Sequence, residues 1–351
     1  MNAAPPQGPR IRITPREVTM TDTPNTRLTR RTALTLMAGA LATPALIRPA
    51  HAQGYPERFI TFIVPFAPGG PTDVMARVLA GPLGEALGQT VVIENRGGAG
   101  GNIGIGAVAR AKNDGYTMLL TSSAYVVNPG LYKNVPYDYK KDFLPVANLG
   151  SSPNVFVANP QAGIKTLADL IKMAKAEPGK LSYGSPGAGT TPHLAMELLK
   201  KRAGIDILHV PFSGAGPAMQ AVLGNQVPLA STALPPAHPQ IKSGKVIGLA
   251  ETGAKRWFDL PDLPTVMELG FPDFESETFQ ALFAPAGTPQ AVIDKVSKAS
   301  IAVLQRADIK EKLAKAGFGV IAQGPAALQA VVDKEVPMWR EIIQSSGISV
   351  D

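Results

Sequence analysis

The sequence predicts an α/β protein built as two units, each a mostly parallel sheet flanked by helices. Apolar, β-branched runs alternate with segments of helical spacing. The alternation runs through the first third of the chain and resumes after residue 165. The length of 351 residues, 45% hydrophobic and 17% charged, supplies enough apolar surface for two cores.

RFITFIVPF (58–66) reads as the first strand. Val74, Val78, Leu79, Leu83 and Leu87 follow at helical spacing and stop at Gly88, a natural helix end. TVVIE (90–94) is the second strand, 105–111 a short helix, and YTMLLTS (116–122) the third strand. This is the βαβαβ order of a parallel sheet. Thr166 and Asp169 then form a capping box ahead of Leu167, Leu170, Ile171 and Ala174. KLSYGS (180–185) is a strand, and Thr191 as N-cap with Pro192 opens the next helix. IDILHVPF (205–212) is a strand, Gly216-Pro217 opens a helix, and VPLASTAL (227–234) and KVIGLAE (245–251) are strands. After 279–284 the chain is helical: one helix capped by Thr288-Pro289, one at 309–316, and one from Pro325 to about Ser345. The connections near 150–156 and 276–284 are the expected crossovers. The units are therefore 55–153 completed by 280–351, and 154–279.

Composition excludes several functions. The chain has no cysteine, so disulfides, thiolate catalysis and cysteine zinc sites are absent. Seven arginines against Glu17 and Asp22 place most of the +7 net charge in residues 1–52. The remainder is nearly neutral, which is not the footprint of a nucleic-acid binder. In residues 1–52, Arg27, Arg30 and Arg31 precede a mild apolar run (33–47) and the small-x-small site Ala50-His51-Ala52. That run is short for a membrane span, which needs roughly 20 residues. The segment reads as an export signal cleaved near Ala52, with Arg30-Arg31 like a twin-arginine motif and the general route as the alternative. The start is Met1 or Met20. The expected location is a bacterial periplasm.

Three loops sit at strand ends where open parallel sheets bind ligands: 65–72, NRGGAGGNIG (95–104) and YGSPGAGTTPH (183–193). Two feed helix N-termini, which favour negative ligands. Thr72, Ser122, Ser123, Ser185, Thr190 and Thr191 supply hydroxyls, and the first and third loops hold no Lys or Arg. A carboxylate suits such a site better than a highly charged phosphate. His193, in the first turn of its helix, is expected neutral. The glycines of the first and third loops serve tight turns or close ligand approach equally well, and those of GGAGGNIG read as structural ahead of ligand-contacting. Thr72 and Asp73 serve capping equally well, His193 has capping of a local backbone group or core packing as its alternative, and His209 and His238 read as structural. Phe66, Tyr125 and Asn128 are candidates for a cleft wall or the core.

In order and spacing, YPERFITFIVPFAPGGPTDVMARVLAGPLGEALGQTVVIENRGGAGGNIG, DGYTMLL, NPGLY, VPYDYKKDFLPVA, PGKLSYGSPGAGTTPHLAMELLK, HVPFSGAGPAM and APAGTP resemble the Bug-type substrate-binding proteins of tripartite tricarboxylate transporters. The resemblance spans about Tyr55 to Ile348. It implies a two-lobed periplasmic-binding-protein fold that closes on one small carboxylate. It implies ligand contacts from Phe66, Gly70, Thr72 and Asp73 on one lobe and from Ser185, Gly187, Thr190 and His193 on the other. Two segments depart from the family pattern: Phe212-Ser213-Gly214 and Ser231-Thr232-Ala233. Both lose charge near the cleft, which disfavours an amino-acid ligand and favours a plain organic acid. Ser213 and Thr232 join Ser122 as further site candidates.

The implied function is capture of a small carboxylate and delivery to the membrane permease of a tripartite transporter. The alternative is a receptor feeding a two-component sensor kinase. No metal or cofactor is called for. An enzyme is disfavoured: GIGAVA mimics a dinucleotide fingerprint but follows no strand directly, and neither G-x-S-x-G nor H-E-x-x-H occurs.

Overall fold

The computed structural model describes residues 54–346, and the export segment expected at 1–52 lies outside them. The chain opens with β1 (Ile60–Val64), α1 (Pro71–Leu87), β2 (Val91–Asn95), α2 (Asn102–Ala109), β3 (Thr117–Ser122) and α3 (Ala124–Leu131). Next come β4 (Phe143–Ala158), α4 (Leu167–Ala176), β5 (Ser182–Ser185), α5 (Thr191–Ala203), β6 (Leu208–Pro211), α6 (Ala215–Leu223), β7 (Leu229–Ala233), α7 (Leu234–Lys242) and β8 (Ile247–Glu251). The chain closes with β9 (Glu277–Pro285), α8 (Gln290–Gln305), α9 (Ala307–Lys315), β10 (Gly319–Gln323) and α10 (Pro325–Ser346).

The sheet runs β2-β1-β3-β9-β4-β7-β5-β6, with β8 and β10 also paired to β4. The expected parallel sets are present, β2-β1-β3 in one half and β7-β5-β6 in the other. Between them lies an antiparallel centre. The segments expected as crossovers are the strands β4 and β9. β4 pairs β9 and β10 through Pro153 and pairs β7 and β8 from Asn154 onward. One continuous strand therefore serves both halves.

Each half is covered on both faces. Phe62, Val64 and Leu282 pack under Met75 and Leu79 of α1, with α8 and α9 alongside. On the opposite face Leu119 and Phe283 meet Tyr125 of α3 and Val336 of α10. In the second half Phe156 and Tyr183 pack with Leu170 of α4 and Met196 of α5, while Val155 and Val157 face Val222 of α6 and Ala237 of α7. Tyr125 is thus core, stacked on Phe283 at 4.3 Å between ring centroids.

Helix ends follow local chemistry with three corrections. The second-loop helix spans Asn102–Ala109, earlier than the expected 105–111. The N-cap of α5 is Thr190, and Pro192 sits at the second helical position, where its missing N–H has no intrahelical role. The N-cap of α8 is Pro289, while Thr288 Oγ1 donates to Pro285 O. The Thr166–Asp169 capping box forms as expected. Thr166→Ala should lower unfolding free energy by about 1 kcal/mol in urea titration. An unchanged midpoint would mean the box contributes nothing.

Candidate functional site

Side chains from the loop after β1 and from the first turn of α1 face one cleft. Phe66, Pro71 and Thr72 line it from the first half, together with Ser122 at the end of β3. Pro186, Thr190, Thr191, Pro192, Ala215 and Ala233 line it from the second half, and Thr278 of β9 lies between. The free space between them is narrow, about 20 Å³. None of these residues is charged.

Five helices begin at this cleft: α1 after Gly70, α3 after Ser123, α5 after Thr190, α6 after Gly214 and α7 after Ala233. None of the five has a side-chain hydrogen bond capping its N-terminus. First-turn N–H groups lack intrahelical partners; Pro71, Pro192, Pro217, Pro235 and Pro236 carry none, and the remaining N–H groups together with the helix dipoles favour an anion without a cation. The sequence pointed to two such helices. The starts of α3, α6 and α7 at the cleft are set by sheet order.

The predicted site residues divide into groups. Phe66, Thr72, Ser122 and Thr190 line the cleft. Thr72 Oγ1 is buried and has no hydrogen-bond partner. Thr190 Oγ1 donates to Gly187 O at 2.8 Å and so shapes the third loop. Gly70 is the N-cap of α1. Asp73 is committed within its own half. It accepts from Gly69 N (2.9 Å), Arg77 Nε (2.9 Å) and Asn95 Nδ2 (3.0 Å). Burial pushes its carboxyl up, but these hydrogen bonds outweigh it and hold the group below the usual carboxylate range. Asp73 therefore pins the first loop.

Ser185 and His193 belong to a buried array behind the third loop. Ser185 Oγ accepts from Gly187 N at 3.1 Å and lies 2.6 Å from His209 Nε2. The His209 ring stacks on His193 at 4.1 Å and on Tyr183 at 5.0 Å. His193 Nδ1 accepts from Gly189 N at 3.4 Å. Burial first, then Lys200, pushes His193 down to about 4, so it is neutral as expected, although the cause is desolvation more than the helix end. His193 and His209 border a separate open groove of about 950 Å³ beside α5. Ser213 is exposed, and its carbonyl accepts from Ala67 N at 3.1 Å. Thr232 points to the face of β7 opposite Ser231, whose hydroxyl donates to Pro192 O at 2.6 Å.

The glycine-rich loops meet one another across the cleft. Gly216 lies against Pro68 O so closely that a Cβ would collide with it. Gly100, at φ +60°, lies equally close to Ala188 O. Tyr132 Oη donates to the same Ala188 carbonyl at 2.8 Å, and Asn128 Nδ2 holds Gly100 O at 3.0 Å. These glycines let backbone from the two halves touch.

Residues 75–348 match the tripartite tricarboxylate transporter family receptor, TctC. The chain is 37% identical to the protein BugT of Bordetella pertussis over 88% of this chain and 95% of that protein. It is similar to the solved periplasmic binding protein BugD, with 39% identity, a TM-score of 0.82, and coverage of 84% of this chain and 99% of that one. It is also similar to R. palustris Rpa4515 with adipate, at 34% identity, TM-score 0.81, and coverage of 84% and 99%. MatC from Rhodopseudomonas palustris, with bound malate, gives 32% identity, TM-score 0.79, and coverage of 82% and 100%. Among the described residues no helix is long and apolar enough to cross a membrane. The chain belongs to the TctC family of periplasmic solute-binding proteins, a family of receptors and not of enzymes.

Proposed function

We propose that the protein captures a small organic acid in the periplasm by closing two lobes, 55–153 with 280–351 and 154–279. It then delivers the acid to the membrane subunits of a tripartite transporter. The observation that carries this reading is the convergence of five uncapped helix N-termini on one uncharged cleft. Such a site stabilises a carboxylate through backbone dipoles. With no acidic side chain on the lining, an ammonium group finds no countercharge, which favours a plain acid over an amino acid. The adipate and malate held by the two R. palustris proteins support the ligand class. Closure follows if the ligand bridges helix ends from both lobes, because only the closed arrangement offers both sets of N–H groups.

The test is a thermal-shift and calorimetric screen of the purified protein, stripped of ligand by unfolding and refolding. The panel holds amino acids, di- and tricarboxylates and aromatic acids. A carboxylate at about 100 times its Kd should stabilise the fold by about 2.7 kcal/mol. Thr72→Val keeps the shape and removes one donor. It should weaken that binding roughly tenfold without lowering the ligand-free melting temperature. A folded protein that binds only amines or sugars would sink the proposal.

A further inference from the structure

β9, whose Thr278 lines the cleft, carries a polar side chain that the sequence did not single out. Gln280 on β9 is fully buried, and neither its Nε2 nor its Oε1 has a hydrogen-bond partner. Buried amides are almost always bonded, and leaving a donor and an acceptor both unmet is unfavourable. Strand register places this side chain. Gln280 stands opposite Ser122 on β3 and opposite Gly150 on β4, so it shares a sheet face with Ser122, which lines the cleft. Thr278, two residues earlier on that face, lines the cleft as well. Ser152, opposite Thr278, is buried with its Oγ unpartnered, as is the Thr72 hydroxyl at the start of α1. Unmet donors and acceptors thus gather under the helix ends that the carboxylate reading relies on.

We propose that Gln280 is the specificity-determining residue of the cleft and selects α-hydroxy carboxylates. The assignment rests on the carboxylate-receptor reading and adds the ligand's second feature. A primary amide presents a donor and an acceptor side by side. A plain carboxylate offers acceptors only and leaves Oε1 unmet. A keto acid has the same deficiency. An α-hydroxy acid offers one of each: its hydroxyl donates to Oε1 while a neighbouring oxygen accepts from Nε2. No cation lines the cleft to reward a further negative charge. A site built around a hydroxyl rejects analogues lacking it, because its buried polar groups are then left unpaired.

Calorimetric titration of the ligand-stripped protein with three matched sets tests the assignment: propionate, lactate and pyruvate; succinate and malate; phenylpropionate, phenyllactate and phenylpyruvate. In at least one set the hydroxy acid should bind roughly tenfold or more tighter than its counterparts. Gln280→Leu and Gln280→Met should abolish that preference. Their ligand-free melting temperatures should stay level or rise, since two unmet polar atoms are gone. Binding of acids by the wild type with no hydroxyl preference would overturn the assignment and leave the receptor reading intact. A preference retained in both variants, or a lowered melting temperature in both, would also overturn it. Failure of the wild type to bind any carboxylate overturns the receptor reading and this assignment together.

Discussion

Gly216→Ala is expected to weaken ligand binding by roughly 10- to 100-fold while leaving the ligand-free protein as stable as the wild type or slightly more so. Gly216 occupies the second position of α6, and an added Cβ would collide with the carbonyl of Pro68 on the other side of the cleft. That carbonyl is backbone, so it cannot swing aside as a flexible side chain would. Relief requires the first loop and the start of α6 to separate. Overpacking of this kind costs about 1–3 kcal/mol, and each 1.4 kcal/mol is a factor of ten in affinity. The same substitution favours the helix by up to about 1 kcal/mol, because glycine is the poorer helix former. The two effects therefore separate by state: the closed form carries the clash and the open form carries only the gain. Calorimetry for affinity and urea titration for stability check both. A stability loss of several kcal/mol would identify the contact as permanent core, and unchanged affinity would remove it from the closing movement.

The second large effect is on acid stability through the stacked histidines. Burial, then Lys200, holds His193 at about 4. Burial, then His193 and Lys200 against the opposing pull of Glu197, holds His209 at about 3. An unfolded chain protonates both near pH 6.5. Between that pH and the depressed folded values the unfolded state binds more protons, so stability falls as pH falls. The loss from His193 begins near pH 6.5 and is complete below about 4. For this nearly fully buried ring it amounts to about 3 kcal/mol. Glu251 acts in the opposite sense over part of the same range, since burial pushes its carboxyl up to about 7. The readout is therefore the difference between proteins. His193→Phe, which keeps an aromatic face for His209, should show a shallower loss of unfolding free energy between pH 6.5 and 4.5 than the wild type. Parallel curves would mean His193 titrates as a solvated histidine.

Much of the architecture was legible because it is local. The runs at 58–66 and 116–122 are β-branched and apolar, Gly88 stops α1 in the left-handed region, and Thr166 with Asp169 caps α4. Two of the misses share one physical origin, while β10, a strand where the end of the chain was expected to be helical, exists through its pairing with β4. β4 contains Pro145 and Pro153, and a proline inside a run argues against a strand. The sheet accommodates Pro145 beside a register shift and Pro153 where β4 changes ladder, neither of which the sequence marks. α7 begins Leu-Pro-Pro and carries Pro239, which hides a helix: proline in the first turn removes N–H groups that would have had no intrahelical partner.

By itself the sequence determined the alternating α/β order, the neutral body of the chain, and the loops that carry Phe66, Thr72 and Thr190, since each depends on neighbours within a few residues. Only the tertiary structure decided that Asp73 is spent on Arg77 and Asn95, and that Ser185 and His193 stand behind the third loop with His209. It alone decided that Gln280 is buried and unpartnered opposite Ser122. These outcomes depend on which strands lie side by side. Side-chain facing along a strand alternates with every residue, so the burial of Gln280 is set by partners more than 100 residues away and not by the segment that contains it.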